Sequence, residues 1–137
     1  MKARKSIFRC NSGASMVEFA LIAPAFFMML FGLVEFSRLA WMQQTLDEVA
    51  YSTARCMSVQ TSCSTLATQR SHAVDRAAGY GITVTSANVT PATNTTCKTY
   101  AGSNSVTITA NFNSPVTGMI PGLSRTLTAR ACFPVLS

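Results

Sequence analysis

The chain has 137 residues, 48% of them hydrophobic, and a formal net charge of +6. That length holds one small domain at most. Four of the eleven basic residues fall in the first nine positions, leaving seven scattered basic side chains against five acidic ones, so no phosphate-tracking basic face exists and a nucleic-acid partner is excluded.

Residues 1–13 carry Lys2, Arg4, Lys5 and Arg9, end in Asn11-Ser12-Gly13, and show no amphipathic period. They read as a cytoplasmic leader. The character changes abruptly after Gly13. Residues 19–34 contain no charge, and the apolar stretch from Met16 is long enough, at roughly 28 Å of helix, to cross a bilayer core. Pro24 lies inside it, a residue that membrane helices tolerate. Glu18 stands near the start of the stretch and Glu35 closes it. A helix apolar on every face would need a much larger protein around it to be a soluble core element. The basic residues before the stretch outnumber Arg38 just after it, so the N-terminus is expected in the cytoplasm and the C-terminal part outside.

Beyond Glu35 the helix is expected to continue amphipathically. Leu39, Met42, Leu46, Val49 and Thr53 recur at steps of three and four, which puts them on one face. This helix should reach about Cys56, before a polar stretch at 58–64. A second helix over 65–78 should stop at Gly79-Tyr80-Gly81. From Ile82 the pattern turns to β. Ile82–Val84, a hairpin of 96–100 with 105–112 turning at Ala101-Gly102-Ser103-Asn104, and 126–133 are the expected strands. Pro115, Gly118, Pro121 and Gly122 mark the loop before the last one. The fold class is therefore α+β. A long N-terminal hydrophobic helix with an amphipathic second half is joined by a short helix and an antiparallel sheet of three or four strands.

Five cysteines divide by position. Cys10 lies in the basic leader; Cys56, Cys63, Cys97 and Cys132 follow the apolar stretch. An even set of four in a small exported domain fits disulfides in an oxidising compartment. Zinc is the weaker reading, because no CxxC pair occurs and His72, the one histidine, is nine residues from the nearest Cys. Of three possible connectivities the local one, Cys56–Cys63 with Cys97–Cys132, is expected. No cofactor is expected, and no enzyme signature is present: His72 and Asp75 share a helical turn without a nucleophile motif. Sequons at Asn88 and Asn94 read as an exposed Thr/Asn-rich loop.

The most informative string is Gly13-Ala14-Ser15-Met16-Val17-Glu18-Phe19, set between a basic leader and a full membrane span. Together with Pro24, the run Gly32-Leu33-Val34-Glu35-Phe36-Ser37-Arg38, the loop Pro121-Gly122-Leu123 and the strand Thr126-Leu127-Thr128-Ala129, it resembles the pilin-like TadE family of the tight-adherence (Tad/Flp) pilus systems. That resemblance implies a pilin-like fold and cleavage between Gly13 and Ala14 by a prepilin peptidase. It further implies other pilin subunits and the Tad secretion machinery as partners, and a minor or accessory role in an adhesive pilus.

Three segments follow: a cleaved leader at 1–13, a transmembrane and assembly helix at 14–36 in contact with lipid, and an exported domain at 37–137. The expected location is the bacterial inner membrane, with the domain periplasmic or carried into an extracellular pilus. An ionised Glu18 near the membrane boundary calls for a partner, and the new amine on Ala14, four residues earlier, is the natural one. Glu35 and Arg38 mark the outer membrane boundary. Trp41 is equally suited to an interfacial anchor or to a core. The alternative to a pilus subunit is a bitopic membrane protein whose periplasmic domain binds a partner without polymerising.

Overall fold

The computed structural model describes residues 12–114 and 125–135. The leader up to residue 11, with Cys10, and the loop marked by Pro115, Gly118, Pro121 and Gly122 lie outside the described residues. The elements in order are a 48-residue helix α1 (Ser12–Val59), a single 3-10 turn (Thr61–Cys63), α2 (Leu66–Gly79), a second 3-10 turn (Ser86–Asn88), and strands β1 (Val89–Cys97), β2 (Tyr100–Phe112) and β3 (Arg125–Pro134). This is the expected α+β class with three antiparallel strands. The chain forms two units, one up to Ser37 and one from Arg38 onward.

Among the described residues the first unit is helix alone. α1 runs through Pro24 without interruption, although the imino ring removes the donor that the Ala20 carbonyl would use. Large apolar side chains cover it on all sides, from Leu30 at 41% exposed to Met16 at 76%. Such a surface is stable in lipid and not in water. The helix is long and apolar enough to cross a membrane, which fits a single-pass membrane protein. Near its end the Ser37 hydroxyl donates to the Leu33 carbonyl at 2.8 Å, so the one hydroxyl following the apolar run is satisfied within its own helix.

The second unit is built around the amphipathic half of α1. Leu46, Val49, Ala50, Thr53 and Ala54 are fully buried, and Leu39, Met42 and Met57 pack on their margin. Buried Thr53 donates to the Val49 carbonyl at 2.8 Å. The spacing of these residues put them on one face, and that face carries the core. Opposite lie Val106, Ile108, Ala110 and Phe112 of β2 with Leu127 and Ala129 of β3. α2 contributes only Ala73 and Ala77 to the core cluster, small side chains that let a short helix approach closely.

Both ends of α2 are locally encoded. Thr65 accepts from the Thr68 amide at 3.3 Å while Thr68 Oγ1 accepts from the Thr65 amide at 3.2 Å, a reciprocal capping box. At the other end the Gly81 amide donates to the Ala78 carbonyl at 2.9 Å and the Ile82 amide to the Ala77 carbonyl at 3.0 Å. This is a Schellman motif, and Gly81 occupies its left-handed position at φ 75°. Thr65→Ala should destabilise the domain by about 1 kcal/mol, measurable as a lowered urea midpoint with an unchanged slope.

The sheet has the order β1-β2-β3, with Val89, Ile108 and Ala129 aligned in one inward row and Pro91, Val106 and Ala131 in the next. Here the structure corrects the sequence reading in three places. Ile82–Val84 is not a strand: Ile82 and Val84 are buried from a connection that pairs with no strand among the described residues. The Thr/Asn-rich stretch expected as a loop is β1, since threonine is as suited to a pleated surface as any apolar residue. The hairpin turn falls at Lys98-Thr99, not at 101–104, and Lys98 takes φ 55° to make it. Gly102, at φ 72°, instead sits opposite register irregularities around Asn94, itself at φ 54°. Ser103 and Asn104 beyond it are buried, and the Asn104 amide donates to Ser58 Oγ at 3.0 Å.

Side chains from the helices reach the backbone of both edge strands. Gln43 Nε2 donates to the Thr128 carbonyl at 3.2 Å and Ser58 Oγ to the Phe133 carbonyl at 3.4 Å, both on β3. Arg70 Nε donates to the Val89 carbonyl of β1 at 3.1 Å.

Candidate functional site

The candidate site begins where the described chain begins. α1 starts at Ser12, so Gly13 and Ala14 lie in its first turn. Glycine is a poor helix residue, about 1 kcal/mol worse than alanine, and nothing within 4 Å would obstruct a Cβ at Gly13. Its own fold therefore does not require glycine there. Glu18 is exposed on the same helix, four residues beyond Ala14. That spacing is about 6 Å of axial rise and nearly one full turn, and helical side chains lean toward the N-terminus. Among the described residues no hydrogen bond or ion pair engages the Glu18 carboxylate. The structure thus puts Gly13, Ala14 and Glu18 on one short length of helix, with Gly13 and Glu18 exposed.

Glu35 falls at the end of the first unit and Arg38 opens the second. The Arg38 guanidinium carbon lies 5.9 Å above the Phe112 ring centroid, a cation–π contact within the domain. Trp41 is 61% exposed, so it is not a core residue.

The four later cysteines form two bridges, Cys56–Cys63 and Cys97–Cys132, with Cα separations of 5.7 and 6.2 Å. The first ties the last turns of α1 to the following 3-10 turn. The second joins the two outer strands over β2. Strands flanking a common neighbour stand about 9.5 Å apart in a flat sheet, and they converge here where β1 departs from regular register. Ser103 of β2 lines the same surface as that bridge. A larger side chain there would compete with the sulfurs for space.

Sequence spacing gave no reason to associate His72 with a cysteine, yet α2 brings it alongside the first bridge. One potential ligand atom from each of Cys56, Cys63 and His72 falls within 4.8 Å of the others. The two sulfurs are joined to each other, so the imidazole stands as a single remaining donor, with Nδ1 at 3.5 Å from Thr53 Oγ1.

No curated protein and no solved structure matches the chain. A family model described as TadE-like protein matches residues 13–55, from Gly13 through the exposed apolar helix and into the half of α1 that carries the core. That family is pilin-related and, in general, not enzymatic. Residues 13–55 of this chain are thus similar to the TadE-like family, and the matched stretch includes the N-terminal apolar helix.

Proposed function

We propose that this chain is a minor pilin or pseudopilin of a Tad-type pilus. A prepilin peptidase cuts it after Gly13, residues 14–36 hold it in the inner membrane with the N-terminus cytoplasmic, and the domain from residue 37 faces the periplasm. The apolar helix then carries the subunit into an assembly with other pilin-like subunits through the Tad machinery. The observation that carries this reading is the Gly13–Glu18 pair at the head of a helix that stays exposed and apolar until the domain begins. A glycine that costs helix stability without relieving any close contact supports recognition from outside the chain, by a peptidase that selects a small residue. The matched family segment begins at that same glycine. Charge distribution and the two disulfides support export of the C-terminal part independently, since they draw on different residues.

N-terminal sequencing of membrane-derived protein tests it. Ala-Ser-Met-Val-Glu is the expected mature start, with Cys10 lost with the leader. An intact Met1 in cells that contain the peptidase would overturn the pilin reading and leave the non-polymerising bitopic protein in its place.

A further inference from the structure

Two grooves on the domain face outward and carry opposite charge. The first, of about 420 Å³, is lined by Trp41, Gln44, Asp47 and Glu48 of α1 and by Tyr80 after α2. Asp47 and Glu48 are two of the three acidic residues from Arg38 onward, and among the described residues no basic side chain lines the groove. The third acid, Asp75, accepts from Ser71 at 3.2 Å on a different helix. The second groove, of about 550 Å³, has Tyr51, Tyr100, Lys98 and Arg130 in its lining and no acidic residue. Each groove also displays aromatic surface: Trp41 and Tyr80 are 61% and 41% exposed, and Tyr51 and Tyr100 are 47% and 71% exposed. Exposed Trp, Tyr and Arg in a concave, charge-bearing patch have the composition of an interface hot spot.

The two grooves also differ in position along the domain. Phe112 lies beside Arg38 and Asn104 bonds Ser58, so β2 runs along the helix and its Tyr100 end lies at the end remote from Arg38. The acidic groove is centred near helix residues 41–48. The basic groove extends from the level of Tyr51 to the hairpin tip. The offset along α1 is on the order of 15 Å, about ten residues of helix. In two parallel domains in register the grooves stand at different heights, and a shift of that size along the axis brings them to one level.

We infer that the acidic groove of one copy seats the Lys98 and Arg130 side chains of a second copy displaced along the helix axis. Lys98 sits at the tip of a two-residue turn and can enter a groove. Trp41 and Tyr80 offer ring faces to a cation whose charge Asp47 and Glu48 balance. Because the two surfaces are different patches of the same domain, the contact is heterologous. It repeats from copy to copy instead of closing a pair. The parallel arrangement of the copies rests on the pilus-subunit reading above; the complementary charge of the two grooves does not.

The test uses the full chain in cells with the assembly machinery, with a photoreactive phenylalanine analogue in place of Tyr100. Illumination should yield a dimer of this chain whose adduct maps to the segment containing Trp41 and Glu48. Glu48→Lys should lower the yield about tenfold, as for loss of one member of a contact charge pair. Combining it with Lys98→Glu should restore most of the yield, which mere misfolding of either variant would not do. Arg130→Glu alone should weaken the cross-link in the same way. An adduct formed only with a different polypeptide, or a yield indifferent to these charge reversals, overturns the inference. Shearing the cells separates the two ideas. A cross-linked dimer in membranes with no protein in sheared filaments removes the pilus reading and keeps the interface, whereas protein in filaments without the adduct removes the interface alone.

Discussion

Glu18→Ala is expected to give normal amounts of cleaved, membrane-inserted protein that is nearly absent from sheared pilus fractions. The substitution removes a charge from the head of an exposed apolar helix, so insertion should be at least as favourable as before. Cleavage should survive, because the cut is directed mainly by Gly13 and the basic residues ahead of it. Under the proposed processing, what is lost is a partner for the amine that cleavage would create on Ala14. Glu18 stands one turn beyond that amine and has no described partner of its own, so its carboxylate can serve the same chain or a neighbour. Without it a positive charge is carried unpaired into an apolar assembly, a costly state. Immunoblots of whole-cell and sheared fractions read the outcome directly. Wild-type incorporation would reduce Glu18 to a boundary residue. Failure at cleavage would instead move Glu18 into peptidase recognition.

The second large effect is expected from the bridge between the outer strands. Replacing Cys97 and Cys132 together with alanine opens a ring with a sequence separation of 35, whereas the Cys56–Cys63 ring has a separation of 7. Loop-closure entropy assigns about 4 kcal/mol to the larger ring and about 2.5 to the smaller. A domain of this size has only about 5–15 kcal/mol in total. Loss of the Cys97–Cys132 bridge should therefore lower the melting temperature by on the order of 20 °C. Loss of Cys56–Cys63 should cost distinctly less. Thermal melts of the two double variants, followed by circular dichroism, rank them. The reverse order would mean that the near-complete burial of Cys56 and Cys63, at 2% and 3% exposed, outweighs ring size.

Much of this architecture was legible because it is encoded locally. The stripe of Leu46, Val49 and Thr53 repeats with the helix period, and Gly81 supplies the left-handed residue that ends α2. β1 was hidden for a physical reason. Its inward positions use Val89 and Pro91, its outer face is threonine and asparagine, and Asn94 and Gly102 carry turn chemistry into bulges. Ile82 and Val84 made the opposite error possible, since alternation reports one-sided burial and not the presence of a pairing strand. In the candidate site, the Gly13–Glu18 spacing was plain in the sequence. The openness around Gly13 was not, nor was the exposure of Trp41, because both depend on what the rest of the chain leaves uncovered. His72 reaches the Cys56–Cys63 bridge only through the packing of α2 against α1, and no spacing rule announces that.

The reach of Gln43, Ser58 and Arg70 to carbonyls on both edge strands has a consequence for how such a domain can be joined to others. An uncovered strand edge invites a neighbour to add or exchange a strand, and a junction made that way comes apart only when a piece of each fold is surrendered. Here helix side chains already occupy backbone acceptors at both margins of the sheet. A neighbour that added a strand would meet such a side chain on either outer strand. On the pilus-subunit proposal, each domain would enter or leave an assembly as a finished part.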